Sequence, residues 1–351
     1  MKTQRNLIAQ TIIVCLIAAG PATALELKKT IHGELAAKSV VHNGKGLFFA
    51  QNMMYRHTIS VYNSDYHLVK TIPDTIRPSD YGYTNLKGTF RGAPVECAFS
   101  HDGQFAWISQ YCTTGAGRNN PGHDKCGPSS GYDNSFLYRI NTTTFAIDAI
   151  VEVGSVPKYV GTSPDNKYVI VTNWCTYDAH IIDTATNKIV KKIYLGPYPR
   201  GIVVDPTSSF AYIAVMGSYD IAIIDLKTFE KNWIKGVGRS PRHLCISPDG
   251  RYLYASLNGE AQLAKVDLLS GKNVAKVHTG SQPRSMDIST DGAFLYVVNY
   301  SSNSMSKVRT ADMKVMKTVK TNGAPIGITY DGIKKEVWVS CYSGTLMVFK
   351  D

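Results

Sequence analysis

The chain alternates short apolar runs with polar turns along almost its whole length. The runs are too short, and too rich in Val, Ile, Tyr and Phe, to read as helices. Four kinds of run recur in a fixed order. A first, such as residues 200–205, leads into a turn of the Ser-Pro-Asp-Gly kind (Pro248-Asp249-Gly250, Thr290-Asp291-Gly292) whose glycine supplies a positive φ. A second, residues 168–172 or 294–298, is dense in β-branched and aromatic side chains. A polar loop leads to a third, such as residues 221–224. It ends on a column held by Asn63, Asn141, Asp183, Asp225, Asp267, Arg309 and Asp351. A turn such as residues 184–187 then reaches a fourth, 188–194, closed by Gly196.

The four-run unit repeats. Pro157, Pro199, Pro241, Pro283 and Pro325 follow one another at steps of 42 residues, a period that marks stacked or radial copies of one supersecondary unit. Pro94 opens an earlier copy and a degenerate one begins near Leu35, which makes seven. Seven units of four antiparallel strands predict an all-β, seven-bladed β-propeller over residues 25–351, a single domain. The last copy stops at the end of its third strand, while residues 27–31 match the fourth-strand stretch 316–320. The N-terminal strand is therefore predicted to complete the last blade and remove its open edge.

Tyr168-Val-Ile-Val-Thr-Asn173, Tyr296-Val-Val-Asn299, the Ser-Pro-Asp-Gly turns and Ile182-Asp183-Thr-Ala-Thr resemble the repeats of the YVTN-type seven-bladed β-propeller family, over residues 26–351. The resemblance implies an exported bacterial propeller. It is specific for fold and weak for function. Relatives include exported propellers that bind DNA and, more distantly, propeller lactonases and the haem d1 domain of nitrite reductases, and one fold hosts many activities.

Export is also written in the first 24 residues. Lys2 and Arg5 precede an apolar run over 11–19 and the small-residue site Ala22-Thr23-Ala24, as in a secretory signal peptide cleaved after Ala24. The run is too short to span a membrane. With Lys2 and Arg5 removed, the formal charge falls from +11 to +9. A periplasmic or secreted monomer without a transmembrane segment is expected. Its basic balance favours an anionic ligand such as nucleic acid, an acidic sugar or a membrane surface, and a protein partner on the face carrying the insertions is the other expectation.

Strand order puts the second-to-third and fourth-to-first connections on one face and the Pro-Asp-Gly turns on the other. Both large insertions, near 73–92 and 112–131, fall on the first face in neighbouring blades, and long loops on a rigid scaffold tend to carry function. The residue after each proline begins a first strand on that face: Lys158, Arg200, Arg242 and Arg284, with Val95 and Ile326 in the other clear copies. Sevenfold geometry sets these cations in an arc around the channel mouth. Nearby loops add Tyr111, Trp174, Tyr219, Tyr300, Tyr342, Arg56 and His57. Cations interleaved with aromatic rings suit an anion, although the same side chains serve equally as inter-blade ion-pair partners.

Along the first strands, Glu96, Tyr159, Gly201, His243, Ser285 and Gly327 should face the channel, followed by Ala98, Gly161, Val203, Cys245, Asp287 and Thr329. Cys97, Val160, Ile202, Leu244, Met286 and Ile328 should pack within the blades. His243 and Asp287 come from adjacent blades and could hydrogen-bond, although such residues more often simply hydrate a water-filled channel. With Glu96 they supply the competing reading, a lactonase-like hydrolase at the channel mouth.

Six cysteines follow Cys15 in an exported chain, so a disulfide is expected. Cys112, Cys126 and Cys175 map to the loop-rich face, and a bond from Cys126 to either of the others would clamp the second insertion, Cys112 being the simpler partner. Cys97 and Cys245 read as buried strand residues. Cys112, His123, Cys126 and Cys175 match no compact zinc spacing, so no metal site is expected. The chain holds no G-x-S-x-G, H-E-x-x-H, phosphate-loop, EF-hand or C-x-x-C-H motif, and no cofactor is expected. These observations favour a non-enzymatic binding or scaffold propeller over an enzyme.

Overall fold

The computed structural model describes residues 25–351, so the predicted signal peptide lies outside the described residues. Seven four-stranded antiparallel sheets form a seven-bladed propeller. Blade 3 shows the plan: Pro157–Thr162 innermost, then Tyr168–Asn173, Asp178–Asp183 and the outer Lys188–Tyr194. Among the described residues no helix is long and apolar enough to cross a membrane.

The core is a ring of separate strips, one between each pair of neighbouring blades. Ile170 and Ile181 of blade 3, for example, pack on Ile202, Ile213 and Ile224 of blade 4. The apolar first-strand column is what builds these strips. Cys97, Val160, Ile202, Leu244, Met286 and Ile328 each enter a different one. Outer strands are lysine-rich and exposed, as in Lys188, Lys191 and Lys192, which discourages edge-to-edge association.

The repeated polar motifs are spent on turns. Ser247 donates to the Asp249 carboxylate and accepts from the Tyr252 amide, and Ser163 and Ser289 do the same in their blades. The column at the end of each third strand closes the next turn. Asp225 and Asp267 each accept two backbone N–H groups there, and Asn141 of the glycosylation-like Asn-Thr-Thr sequence does likewise.

Closure follows the expectation. Glu26–Ile31 pairs antiparallel with Thr345–Lys350 and supplies the outer strand of blade 7. The buried Glu336 carboxylate of blade 7 accepts from Lys28 on that strand at 2.6 Å and from the Tyr66 hydroxyl of blade 1 at 2.8 Å. Below it Trp338 stacks on Phe48 of blade 1, ring centroids 3.9 Å apart.

The backbone around each repeated proline was not foreseen. Val156, Tyr198, Ser240, Gln282 and Ala324, each just before a proline, have φ between 53° and 63°. Immediately after the proline the pairing slips. Pro157 lies opposite Asn173 and Tyr159 opposite Thr172, so Lys158 is an extra residue in the strand, and Arg242 is extra in the same way. Equivalent shifts follow Pro94, Pro199, Pro283 and Pro325. These are β-bulges, which re-aim a side chain and raise local twist.

Trp338 is fully buried across the closing seam. Trp338→Ala is expected to cost about 3–5 kcal/mol in chemical denaturation, the range for removing a large buried aromatic. A loss under about 1 kcal/mol would show that the seam between blades 7 and 1 does not carry the ring.

Candidate functional site

The bulges bring the cation column to one place. Lys158, Arg200, Arg242 and Arg284 all line a cavity of about 710 Å³ at the channel mouth, together with Tyr111, Trp174, Tyr300 and Tyr342. Loops of six blades contribute, as the strand-order argument required. Tyr219 and Arg56 are not among the lining residues, whereas His57 is. Lys38 is a fifth cation, which the sequence reading missed. Ser39 pairs with Gln51 as Tyr159 pairs with Thr172, so Lys38 is the column's blade 1 member, with Ala37 where the proline would stand.

The charges do not balance. Lys38 donates to Glu96 at 2.8 Å, and Arg200 lies 3.5 Å from the same carboxylate. Lys158 donates to Asp124 at 2.6 Å. Among the described residues neither Arg242 nor Arg284 has a carboxylate within ion-pair distance. Arg242 reaches only the Met216 sulfur at 3.7 Å, Arg284 lies over the Tyr300 ring with its guanidinium carbon 3.5 Å from the centroid, and the Nε of each is buried without an acceptor. Burial first, then the neighbouring Arg200 and Arg284, pushes the Arg242 guanidinium well below its usual value. Burial also brings Lys158 down to about 8, with Asp124 opposing and Arg200 reinforcing the shift. Aromatic faces line the cations, the Lys158 ammonium standing 4.2 Å from the Tyr111 centroid and 5.3 Å from that of Trp174.

The insertions divide the labour. The first folds into a two-stranded ribbon, Thr75–Ile76 with Phe90–Arg91, and lies on the outside of blade 2. Tyr81 donates its hydroxyl to the Ile147 carbonyl, and the Glu152 amide donates to Tyr83, covering an outer edge rather than the channel. The second brings Asp124 into the cavity and is held by a disulfide from Cys126 to Cys175. Cys175 of blade 3, not the nearer Cys112, is therefore the partner. Cys112 is a free thiol lining the cavity, and two of the four donors weighed as metal ligands are bound to each other.

Deeper in the channel a second cavity of about 280 Å³ collects Tyr159, His243, Asp287 and Thr329. The His243–Asp287 bond that the hydrolase reading needs does not form. His243 Nε2 meets the Tyr159 hydroxyl at 2.7 Å, and Nδ1 has no partner. Asp287 instead accepts from the Tyr330 amide of blade 7 at 2.7 Å and from the Ile288 amide. Burial, then Arg200, Arg242 and Lys38, lowers His243 to about 3, while burial raises Asp287 to about 6. Glu96 is engaged by Lys38 and Arg200. A histidine this hard to protonate, without a carboxylate to orient it, makes a poor general base near neutral pH.

Comparison with known proteins bears on the fold more than on the site. Residues 204–331 match the family model of the Cytochrome D1 heme domain. The segment runs from the end of the first strand of blade 4 through that of blade 7, and holds Arg242 and Arg284 but not Lys158, Arg200 or His57. A solved Kuenenia stuttgartiensis Hydrazine Synthase chain superposes with a TM-score of 0.72 at 14% identity, covering 92% of this chain and 97% of that one. The likeness is one of fold. No curated protein sequence matches.

The His243 shift makes a pH prediction. Its folded value near 3 lies below the ordinary 6.5, so the unfolded chain takes up the proton first. The stability due to neutral His243 is whole above pH 6.5 and drains away as pH falls toward 3. Asp287 acts with the opposite sign below about 6, its burial cost being relieved by protonation. His243→Asn should flatten the acid limb by up to about 1.4 kcal/mol per pH unit. Nitrogen NMR should find the imidazole neutral at pH 5, and a ring titrating at its ordinary value would refute the burial argument.

Proposed function

We propose that this chain is an exported propeller of the YVTN type that binds, rather than turns over, a compact molecule bearing two or more negative charges in the channel-mouth cavity. The observation that carries this is the pair Arg242 and Arg284. Cations placed to fasten blades together would meet acids across the seam, as Lys38 of blade 1 meets Glu96 of blade 2. These two converge on open space with buried, unsatisfied nitrogens. An uncompensated buried charge is costly, and an arriving anion relieves that cost with charge-assisted bonds. Tyr111, Trp174, Tyr300 and Tyr342 offer faces for a planar portion, and the volume lies within the range of small-molecule pockets. The disulfide is consistent with an exported protein.

One observation favours a specific member of this class. The matched family model is that of a haem domain, and a haem is a planar polycarboxylate. His57 lines the cavity with Nδ1 held 2.7 Å from the Gly92 carbonyl, which fixes the ring and leaves Nε2 available to a metal, as metal-binding histidines are commonly held. The cationic arc would take the carboxylates. Bound there, such a group would bring redox chemistry.

The test is a thermal-shift series in low salt with phosphate, citrate, a nucleoside diphosphate and haemin, on wild type and Arg242→Met/Arg284→Met. A ligand that binds only the folded state raises the midpoint, by about 2.7 kcal/mol of stability at a hundredfold excess over Kd. The unliganded double variant should be as stable as wild type or more so, because one buried and one half-buried charge without carboxylate partners are gone, and it should lose most of the anion response. Equal responses in both proteins would return the arginines to a purely structural role. A Soret shift on haemin addition that vanishes in His57→Ala would select the haem reading.

A further inference from the structure

The two carboxylates facing the cations are built differently. Glu96 stands on a strand, its side chain 6% exposed, locked between Lys38 and Arg200. Asp124 stands on the second insertion, its side chain 68% exposed, while its partner Lys158 is 7% exposed. The acid thus approaches from the solvent side and covers a cation that belongs to the wall. Its carboxylate also accepts from the Tyr111 hydroxyl at 3.1 Å.

What keeps it there acts on the loop backbone. Trp174 Nε1 donates to the Asp124 carbonyl at 2.9 Å, Tyr177 donates to the Cys126 carbonyl at 2.9 Å, and Cys126 is bonded to Cys175 two residues from the acid. All three anchors lie on blade 3, although the loop leaves from blade 2. Gly117 before the acid and Gly131 after the disulfide turn the chain with positive φ in open space, whereas Gly115 and Gly122 lie so close to Phe90 and Val156 that a Cβ would not fit, so the part left to move is the short stretch around the acid. Burial would raise the Asp124 carboxyl, but Lys158 and Tyr111 hold it below the ordinary carboxylate range, so at neutral pH it is an anion sitting where an anion belongs.

We propose that the second insertion is a disulfide-held clasp whose Asp124 carboxylate occupies the Lys158 station of the cationic arc and gives it up to an incoming ligand. This rests on the anion-binding reading above. Arg242 and Arg284 then receive the first negative group of the ligand and Lys158 a second, once Asp124 has swung into solvent. The ligand is one whose charged groups can span from the blade 5 and 6 stations to blade 3. The exposed acid makes the exchange cheap, while the disulfide keeps the displaced loop close enough to return.

Two measurements on the full mature chain decide it. Inorganic pyrophosphate is titrated calorimetrically in low salt into wild type and Asp124→Asn. Lys158 acetylation by an N-hydroxysuccinimide ester is followed by mass spectrometry in wild type, Asp124→Asn and Cys126→Ser/Cys175→Ser. The clasp predicts roughly tenfold tighter pyrophosphate binding by Asp124→Asn, the gain from removing about 1.4 kcal/mol of competition. It also predicts several-fold faster Lys158 labelling in both variants. Equal or weaker binding by Asp124→Asn overturns the exchange, and so does unchanged labelling. If labelling accelerates but pyrophosphate binds neither wild type nor Asp124→Asn, the loop is a movable cover over something other than an anion site. That outcome removes the binding reading and the exchange together. Asp124→Asn keeps the loop's disulfide, so the test stands even if the serine double variant folds poorly.

Discussion

The slip in strand pairing just after each repeated proline governs the geometry of everything at the channel mouth. An unbroken first strand would alternate, one side chain into the channel and the next into the blade. With one residue added, neighbours turn the same way. Lys158, Arg200 and Arg242 reach the outer cavity, and Tyr159 and His243, next along two of those strands, reach the inner one. The left-handed residue ahead of the proline makes the bend, and proline, with its fixed φ and no N–H to lose, tolerates the interrupted ladder. Second-strand hydroxyls then tie the bulged segments across the seam, with Thr172 donating to the Arg200 carbonyl at 2.8 Å and Ser256 to the Arg284 carbonyl at 2.7 Å. The cations are therefore presented by strands tied to the neighbouring blade, and that fixed placement is what makes the lack of carboxylates beside Arg242 and Arg284 consequential.

How much of this could be read in the sequence depended on whether the repeat survived locally. Where proline and turn recur at a constant step, fold, face and cation column all follow, because position in the repeat is position in the ring. Lys38 escaped because Ala37 replaces the proline that would have set the register. Asp124 escaped because an insertion has no repeat position at all. The disulfide shows the same limit from another side. Cys112 is nearer in sequence, but the loop crosses to the next blade, and the bond closes over a separation of 49 residues to Cys175.

The failed pairing of His243 with Asp287 has a different cause, since both were placed correctly in the channel. They lie in successive layers: Asp287 is level with Cys245, and His243 is level with Ser285. The partner His243 does find, Tyr159, is in its own layer two blades away. Between them blade 4 offers Gly201, where an added Cβ would stand 2.8 Å from the His243 Cα. Reach across a propeller channel is decided by which intervening blade leaves its side chain out, and adjacency of blades is no guide to that.

The seven stations of the arc are not alike, and their differences separate the tasks of the face. Val95 and Ile326 are fully buried apolar members, so blades 2 and 7 interrupt the cationic ring. Blade 2, which lacks a cation of its own, is the blade that sends a carboxylate across to its neighbour's. Strand-borne Glu96 bridges Lys38 and Arg200 in the cavity wall and cannot leave without stranding two buried cations, so that half of the arc is fixed. The other half, Arg242 and Arg284, has no carboxylate within ion-pair distance among the described residues. Lys158 stands between them in kind, satisfied by an exposed group that a loop carries in. A site with one permanent, one exchangeable and one absent counter-charge can be folded and stable before its ligand arrives and still favour a ligand of more than one charge.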